Sequence, residues 1–280
     1  MPETFVRKAD GTLQPLDWNK IRKALRRSGA GGNLCDEVIE SMQGEITPNI
    51  STNKIYRLAF LHLKRLRPGA AARLGLKSSL FRLGPDGYPF ETFVGALLKG
   101  RGYETKLRQI IPGRCITHEV DVVATRPAME GKKATKSIVE CKFHNSPHLK
   151  CPIQSALYTW ARFLDVREAD DSIDSVWLAT NTKFSGDVIQ YADCVGLKLL
   201  GWSFPSSESI QVRIEENQLY PITILPKLDR KTFAQLHGAN IILLKELVAC
   251  EERELESLGI KRHRAEKIRE QAQVILSRKE

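Results

Sequence analysis

The chain has 280 residues, 42% of them hydrophobic and 27% charged, a globular balance long enough for one large domain or several small ones. No run of about 18 apolar residues is present, which excludes a membrane-spanning helix, and the first eleven residues lack the apolar stretch of a secretory signal. The formal charge of +10 points to a polyanionic partner. Its distribution says more. Residues 1–83 carry 15 basic and 7 acidic side chains, 84–225 carry 16 and 17, and 226–280 carry 12 and 9. A nearly neutral centre between two basic flanks predicts three units with these boundaries. The six cysteines form no CxxC pair, so a reduced, cytoplasmic setting is expected.

Phe5-Val6-Arg7, the turn signal Asp10-Gly11 and Leu13–Leu16 predict a hairpin. Asp17 is placed to cap a helix with Ile21, Ala24 and Leu25 on one face. A second helix is expected over Leu34–Gln43, a third capped by Ser51 or Thr52, and a fourth from the Ala-rich stretch to about Leu83. Gly84-Pro85-Asp86-Gly87 marks the first boundary. A helix through Phe90–Leu98 follows, then strands at 104–109, 118–124 and 137–141. Next come a helix at 152–164, a strand at 176–180, a helix at 186–195 and a strand at 197–201. This alternation predicts an α/β centre. Beyond Pro221 and Pro226 the chain reads as helical, with Leu258-Gly259-Ile260 as a tight turn between two helices.

The chemistry concentrates in the centre. Glu140 and Lys142 are two apart on a strand, so both leave the same face. If that strand pairs with His118–Ala124, Asp121 meets Glu140 across the ladder. Two carboxylates converging with a lysine suit phosphodiester hydrolysis. The acids are candidate ligands for Mg²⁺ or Mn²⁺, and Lys142 would position water or stabilise developing charge. Glu91, on the preceding helix, is placed to support the metal. Gln154 and Tyr158 share a helix face at i and i+4 and are placed to orient phosphate or lysine. Cys141, His144, His148 and Cys151 offer a competing zinc set, although Cys141 should face away from Glu140.

The order Glu91, Asp121, Glu140-x-Lys142, Gln154-x-x-x-Tyr158 resembles the PD-(D/E)xK nucleases, above all Mrr-like type IV restriction endonucleases, over residues 85–203. The resemblance extends to Thr180–Ser185 and Tyr191-Ala192. It implies an αβββαβ restriction-endonuclease-like core that binds divalent metal and cuts DNA. No Pro precedes Asp121, and Ser155 stands at a usually apolar position.

Residues 4–83 resemble the ATP-cone, a regulatory nucleotide-binding module, through Val6-x-Lys8-x-Asp10-Gly11, Asp17-x-x-Lys20-Ile21 and Thr52. That resemblance implies ATP or dATP contacts at Val6, Lys8, Lys20 and Thr52. Ala9 and Gln14 depart from the pattern. The competing reading is a basic helical DNA-binding unit, since Lys20, Arg22, Lys23, Arg26 and Arg27 crowd one helix. The C-terminal unit resembles a helix-hairpin-helix module at Leu258-Gly259-Ile260, implying DNA phosphate contacts at Gly259, Lys261, Arg262 and Arg264. Lys261 replaces the second hairpin glycine. A helical cap or oligomerisation element is the alternative.

The expectation is a Mg-dependent DNA endonuclease regulated by ATP or dATP, with DNA as partner, no membrane, and a homo-oligomer compatible with the sequence. The alternatives are a non-catalytic nucleotide-responsive DNA-binding regulator and a branched-DNA resolvase or repair nuclease.

Overall fold

The computed structural model describes residues 4–8, 11–84, 86–128 and 133–277. Ala9 and Asp10 of the expected hairpin turn, Pro85 of the first boundary and residues 129–132 between the second and third central strands lie outside the described residues.

The N-terminal unit opens with β1 (Phe5–Arg7) and β2 (Leu13–Pro15), an antiparallel hairpin. α1 (Trp18–Arg27) follows, capped as expected by the Asp17 carboxylate, which accepts from the Asn19 and Lys20 amides. α2 (Gly32–Gln43) leads to β3 (Ile50–Ser51), which the sequence pattern did not reveal and which pairs parallel with β1. Ser51, not Thr52, caps α3 (Thr52–Leu66). The helix expected to run to Leu83 is interrupted at Gly75. It becomes α4 (Pro68–Leu74), α5 (Leu76–Leu80) and a 3₁₀ turn at Phe81–Leu83.

The central elements are α6 (Tyr88–Lys99), β4 (Glu104–Pro112), β5 (Thr117–Arg126), β6 (Thr135–Lys142), β7 (Lys150–Cys151), α7 (Ile153–Ala169), β8 (Ile173–Thr180), β9 (Lys183–Phe184), α8 (Gly186–Val195), β10 (Lys198–Leu200) and α9 (Ile210–Asn217). Five strands form one sheet in the order β10-β8-β6-β5-β4. The β4–β5 and β5–β6 pairs are antiparallel, and the β6–β8 and β8–β10 pairs parallel. Short β7 and β9 pair separately, alongside the exit from β6. The sheet is apolar on both faces, because helices cover both. Val122, Ala124, Val139 and Ala179 pack with α6 and α9, while Val123, Ile138, Val176 and Leu178 pack with α7 and α8. The protein is mixed α/β.

α10 (Arg230–Gly238), α11 (Leu244–Ala249), α12 (Glu252–Ser257) and α13 (Arg262–Leu276) complete the chain. Turns stand at both expected boundaries, yet one core crosses them. Leu76, Leu80 and Leu83 share it with α6 and with Leu247, Leu255 and Ile268 of the C-terminal helices. The first 71 residues keep a smaller core built on Leu25, Val38 and Leu63. Arg73, 7% exposed, ties the ends together. Its Nε donates to Ser28 O and its Nη1 to Ile275 O, both at 2.6 Å. Gly69 allows α4 to meet α13 closely, since a Cβ there would stand 2.7 Å from Val274 O.

Candidate active site

The β5–β6 ladder pairs Val122 with Val139 and stops there. Carried one residue further, its register sets Asp121 opposite Glu140 on the face towards α7. In place of a ladder bond, the Asp121 carboxylate accepts the Cys141 amide at 2.6 Å. The strands therefore part where the acids stand. Cys141 packs on the opposite side, against the α6 core.

The neighbouring strand departs from regular geometry at the same level. β4 pairs Leu107 with Val122 and Gln109 with Val120, leaving Arg108 across from Asp121 without a ladder bond of its own. Arg108 has φ +50°, a left-handed conformation that costs a non-glycine residue about 1 kcal/mol or more. That turn in the backbone lets the Arg108 guanidinium reach Glu91 on α6 at 3.4 Å. Tyr88 lies 5.8 Å from the same guanidinium.

On the other face, α7 presents Gln154, Tyr158 and Arg162 at successive four-residue steps. Arg162 pairs with Glu140, donates to Tyr158 Oη at 2.8 Å and covers the Tyr158 ring at 4.7 Å. Gln154 is exposed. Lys142 is also exposed, on the side shared with Glu140.

Burial sets the electrostatics. It raises Glu140, and the Asp121 charge raises it further, to about 7 against the pull of Arg162 and Lys142. Burial and then Asp121 push Glu91 to about 6 despite Arg108. Asp121 is also raised by burial, although the Cys141 N–H, Arg162 and Lys142 oppose this. Glu140 and Glu91 thus hold their protons towards the neutral range, and Asp121 is raised beside them, the condition expected of a functional cluster.

The loop after Lys142 is fixed from β8. Thr180 Oγ1 donates to Lys142 O at 2.7 Å. The buried Asn181 side chain accepts the His144 N–H and donates to His144 O, both at 2.9 Å. The zinc set is not assembled. Cys141 belongs to the α6 side and Cys151 to the α7 side. Among the described residues, no group of three or more His, Cys, Asp or Glu is placed to hold a metal.

The sequence brought forward Glu91, Asp121, Glu140, Lys142 and Gln154. The structure adds Arg108, Arg162 and Asn181. Arg162 had a signal, its i+4 spacing from Tyr158. Arg108 had none, because a positive φ at an arginine leaves no mark in the residue pattern.

In the N-terminal unit the β1–β3 register sets Arg7 beside Ser51, which brings Lys8 and Thr52 to adjoining positions. Lys8 is exposed, and Lys20 lies 3.7 Å from Asp17. Val6 is 2% exposed, so its side chain serves the core. In the C-terminal unit Gly259, at φ +80°, ends α12. Its N–H bonds Glu256 O and the Ile260 N–H bonds Leu255 O, a Schellman closure. The Gly259 amide is therefore committed, and phosphate contacts there would fall to Lys261, Arg262 and Arg264. Arg262 pairs with Glu252 and Glu266, and Arg264 with Asp229.

Residues 220–276 match the family model described as AF1548-like, C-terminal. An uncharacterised protein of Archaeoglobus fulgidus is 39% identical over 180 residues, covering 64% of this chain and 98% of the relative. A crystal structure described as AF1548, a protein of unknown function, aligns with TM-score 0.60 and 37% identity, over 68% of this chain and 98% of that one. Among the described residues no helix is long and apolar enough to cross a membrane.

Proposed function

The chain belongs to the AF1548-like family, and we propose that it is a divalent-metal-dependent DNA endonuclease of the PD-(D/E)xK type. The observation that carries this reading is the parting of β5 and β6 at Asp121 and Glu140, with Lys142 on the same face. The order α6-β4-β5-β6-α7-β8 and the strand order β10-β8-β6-β5-β4 support the αβββαβ core that the resemblance implies.

The donor set suits Mg²⁺ or Mn²⁺. It offers carboxylate oxygens alone, and Mg²⁺ is commonly held by one or two carboxylates. The raised pKa values of Asp121 and Glu140 fit a pair of acids whose charges lack full compensation within the protein. A divalent ion held there would polarise the phosphodiester and lower the pKa of the attacking water. Lys142, exposed beside Glu140, would orient the attacking water and stabilise charge on the phosphate oxygens. Arg162, bonded to Glu140 and Tyr158, fixes the Glu140 carboxylate in place. Asn181 and Thr180 keep the Lys142 strand end in place. Glu91 supports the acids from α6, held by Arg108, and Gln154 faces the substrate side of α7.

The N-terminal unit is read as an ATP-cone taking ATP or dATP through Lys8, Lys20 and Thr52, and the C-terminal helices as phosphate contacts. A second reading, a non-catalytic nucleotide-responsive DNA-binding regulator, is favoured by one observation. Glu140 and Glu91 are each paired with an arginine, and no larger ligand cluster is gathered among the described residues.

Cleavage of supercoiled plasmid with Mg²⁺ or Mn²⁺, with and without ATP or dATP, separates the two. Wild-type protein is expected to nick or linearise the plasmid, and Asp121→Asn or Lys142→Ala to lose at least about a hundred-fold in rate. No cleavage with either metal, or undiminished cleavage by both variants, would overturn the nuclease reading.

A further inference from the structure

Two concavities, of about 860 and 820 Å³, adjoin at Arg82 and Leu228, which line both, and are treated together as one groove. One end is walled by α3, through Tyr56, Arg57, Phe60 and Lys64. The other is walled by the start of α6 and by α10, through Tyr88, Arg230 and Phe233. Pro147 and Asn145, from the loop that follows Lys142, line one section each. The pair therefore extends from α3 of the N-terminal unit to the start of α6 and the loop after Lys142. Tyr88 links that end to the acids, since the guanidinium it faces is the one that holds Glu91.

Its chemistry is specific. Arg57, Lys64, Arg82, Lys227 and Arg230 line it, against Asp86 and Asp229. Asp229 is already engaged, capping α10 and pairing with Arg264. Among the described residues, Arg57, Lys64, Lys227 and Arg230 have no carboxylate partner. Interleaved with these cations are large aromatic side chains left open. Tyr56 is 44% exposed and Tyr88 54% exposed. Unpaired cations alone would suit any polyanion. Cations alternating with exposed rings suit a chain of phosphates whose bases are free to stack, because base–aromatic stacking contributes about 1–3 kcal/mol per base and is closed to bases stacked within a duplex.

We propose that this groove binds single-stranded DNA, one end of it lying beside the Tyr88–Arg108–Glu91 contact at the edge of the acid site. As a description of substrate this rests on the nuclease reading, and it assigns as substrate a single strand, or a junction between single strand and duplex, in preference to an intact duplex.

The test is binding by the full chain without metal. Fluorescence anisotropy would follow a short labelled oligothymidine and a duplex of equal length across a series of KCl concentrations. The single strand is expected to bind about ten-fold tighter than the duplex, since only it can stack. Arg57→Ala/Lys64→Ala should weaken it about ten-fold and flatten the salt dependence by about 1.4, at roughly 0.7 per lost phosphate contact. Tyr56→Ala should weaken it about ten-fold with the salt dependence unchanged, because a stacking contact releases no counterion. Lys23→Ala/Arg27→Ala, on the basic face of α1, should bind as wild type does. All these positions are exposed, so wild-type melting temperatures confirm folding. Equal or tighter binding of duplex, or a loss at Lys23 and Arg27 with none at the groove, would overturn the proposal. A protein that binds single strands but cleaves no DNA keeps the groove and loses the nuclease reading. One that cleaves duplex while the groove variants bind and cut normally keeps the nuclease and loses the groove.

Discussion

Glu140 and Arg162 pair beneath α7 at 10% and 12% side-chain exposure, whereas Arg262 on the C-terminal helices is shared between Glu252 and Glu266 at 71%. Both are arginine–carboxylate contacts, and the protein uses them differently. In the sheet, burial lifts Glu140 to about 7 and Glu91 to about 6, a strand residue adopts positive φ, and the ladder stops short. On the C-terminal helices the charges are solvated. There the order of the chain rests on Leu247, Leu255, Ala265 and Ile268 in the core and on Gly259 closing α12. Charge removed from water at some cost is where chemistry is expected, and charge left in water mainly maintains solubility and attracts anions.

The sharpest way to break this contrast is Arg162→Met. It strands Glu140 and should destabilise the protein by about 3 kcal/mol at pH 8, measured by urea unfolding. At pH 6 the loss should be smaller, because Glu140 takes up a proton and no charge is left buried. The wild type shares the sign. A carboxyl held at about 7 when folded binds more protons than the unfolded chain, where its ordinary value is 4.5. This contribution to stability therefore falls as pH rises from about 4.5 to 7 and stays flat above. Equal losses at pH 6 and pH 8 would remove the account of Glu140.

Gly69→Ala sharpens the other side. Its Cβ would meet Val274 O at 2.7 Å, so α4 and α13 must separate. A loss of about 2 kcal/mol is expected from thermal or urea unfolding, with little dependence on salt. A neutral outcome would mean that the packing of α13 is looser than the geometry implies.

The smallest effect belongs to Arg262→Ala. Although it removes two ion pairs, stability should hardly change, because both are solvated, and any difference should shrink at high salt. A loss comparable to that of Arg162→Met would erase the distinction between the two regions.

Much of the site was legible in the sequence because strands alternate and helices repeat. Asp121, Glu140 and Lys142 fell on the expected strands, and the β5–β6 register set the acids opposite each other. The Asp17 cap was readable because a carboxylate before an apolar helical face has one cheap role. β3, β7 and β9 were not, since a two-residue strand carries no period. Arg108 was missed for another reason: it lies within nine-residue β4, and nothing in its residue type marks a positive φ there. The helix expected through Leu83 was broken at Gly75, where α5 turns to join the C-terminal core.

By itself the sequence determined the mixed α/β pattern, the charge asymmetry and the acid–lysine set, because each follows from neighbours a few residues apart. Tertiary structure alone decided that Arg162 and Arg108 would hold the acids, that one core would join Leu80 to Ile268, and that Tyr56 and Tyr88 would line the same groove. These depend on which distant surfaces exclude water together, and local spacing does not encode that choice.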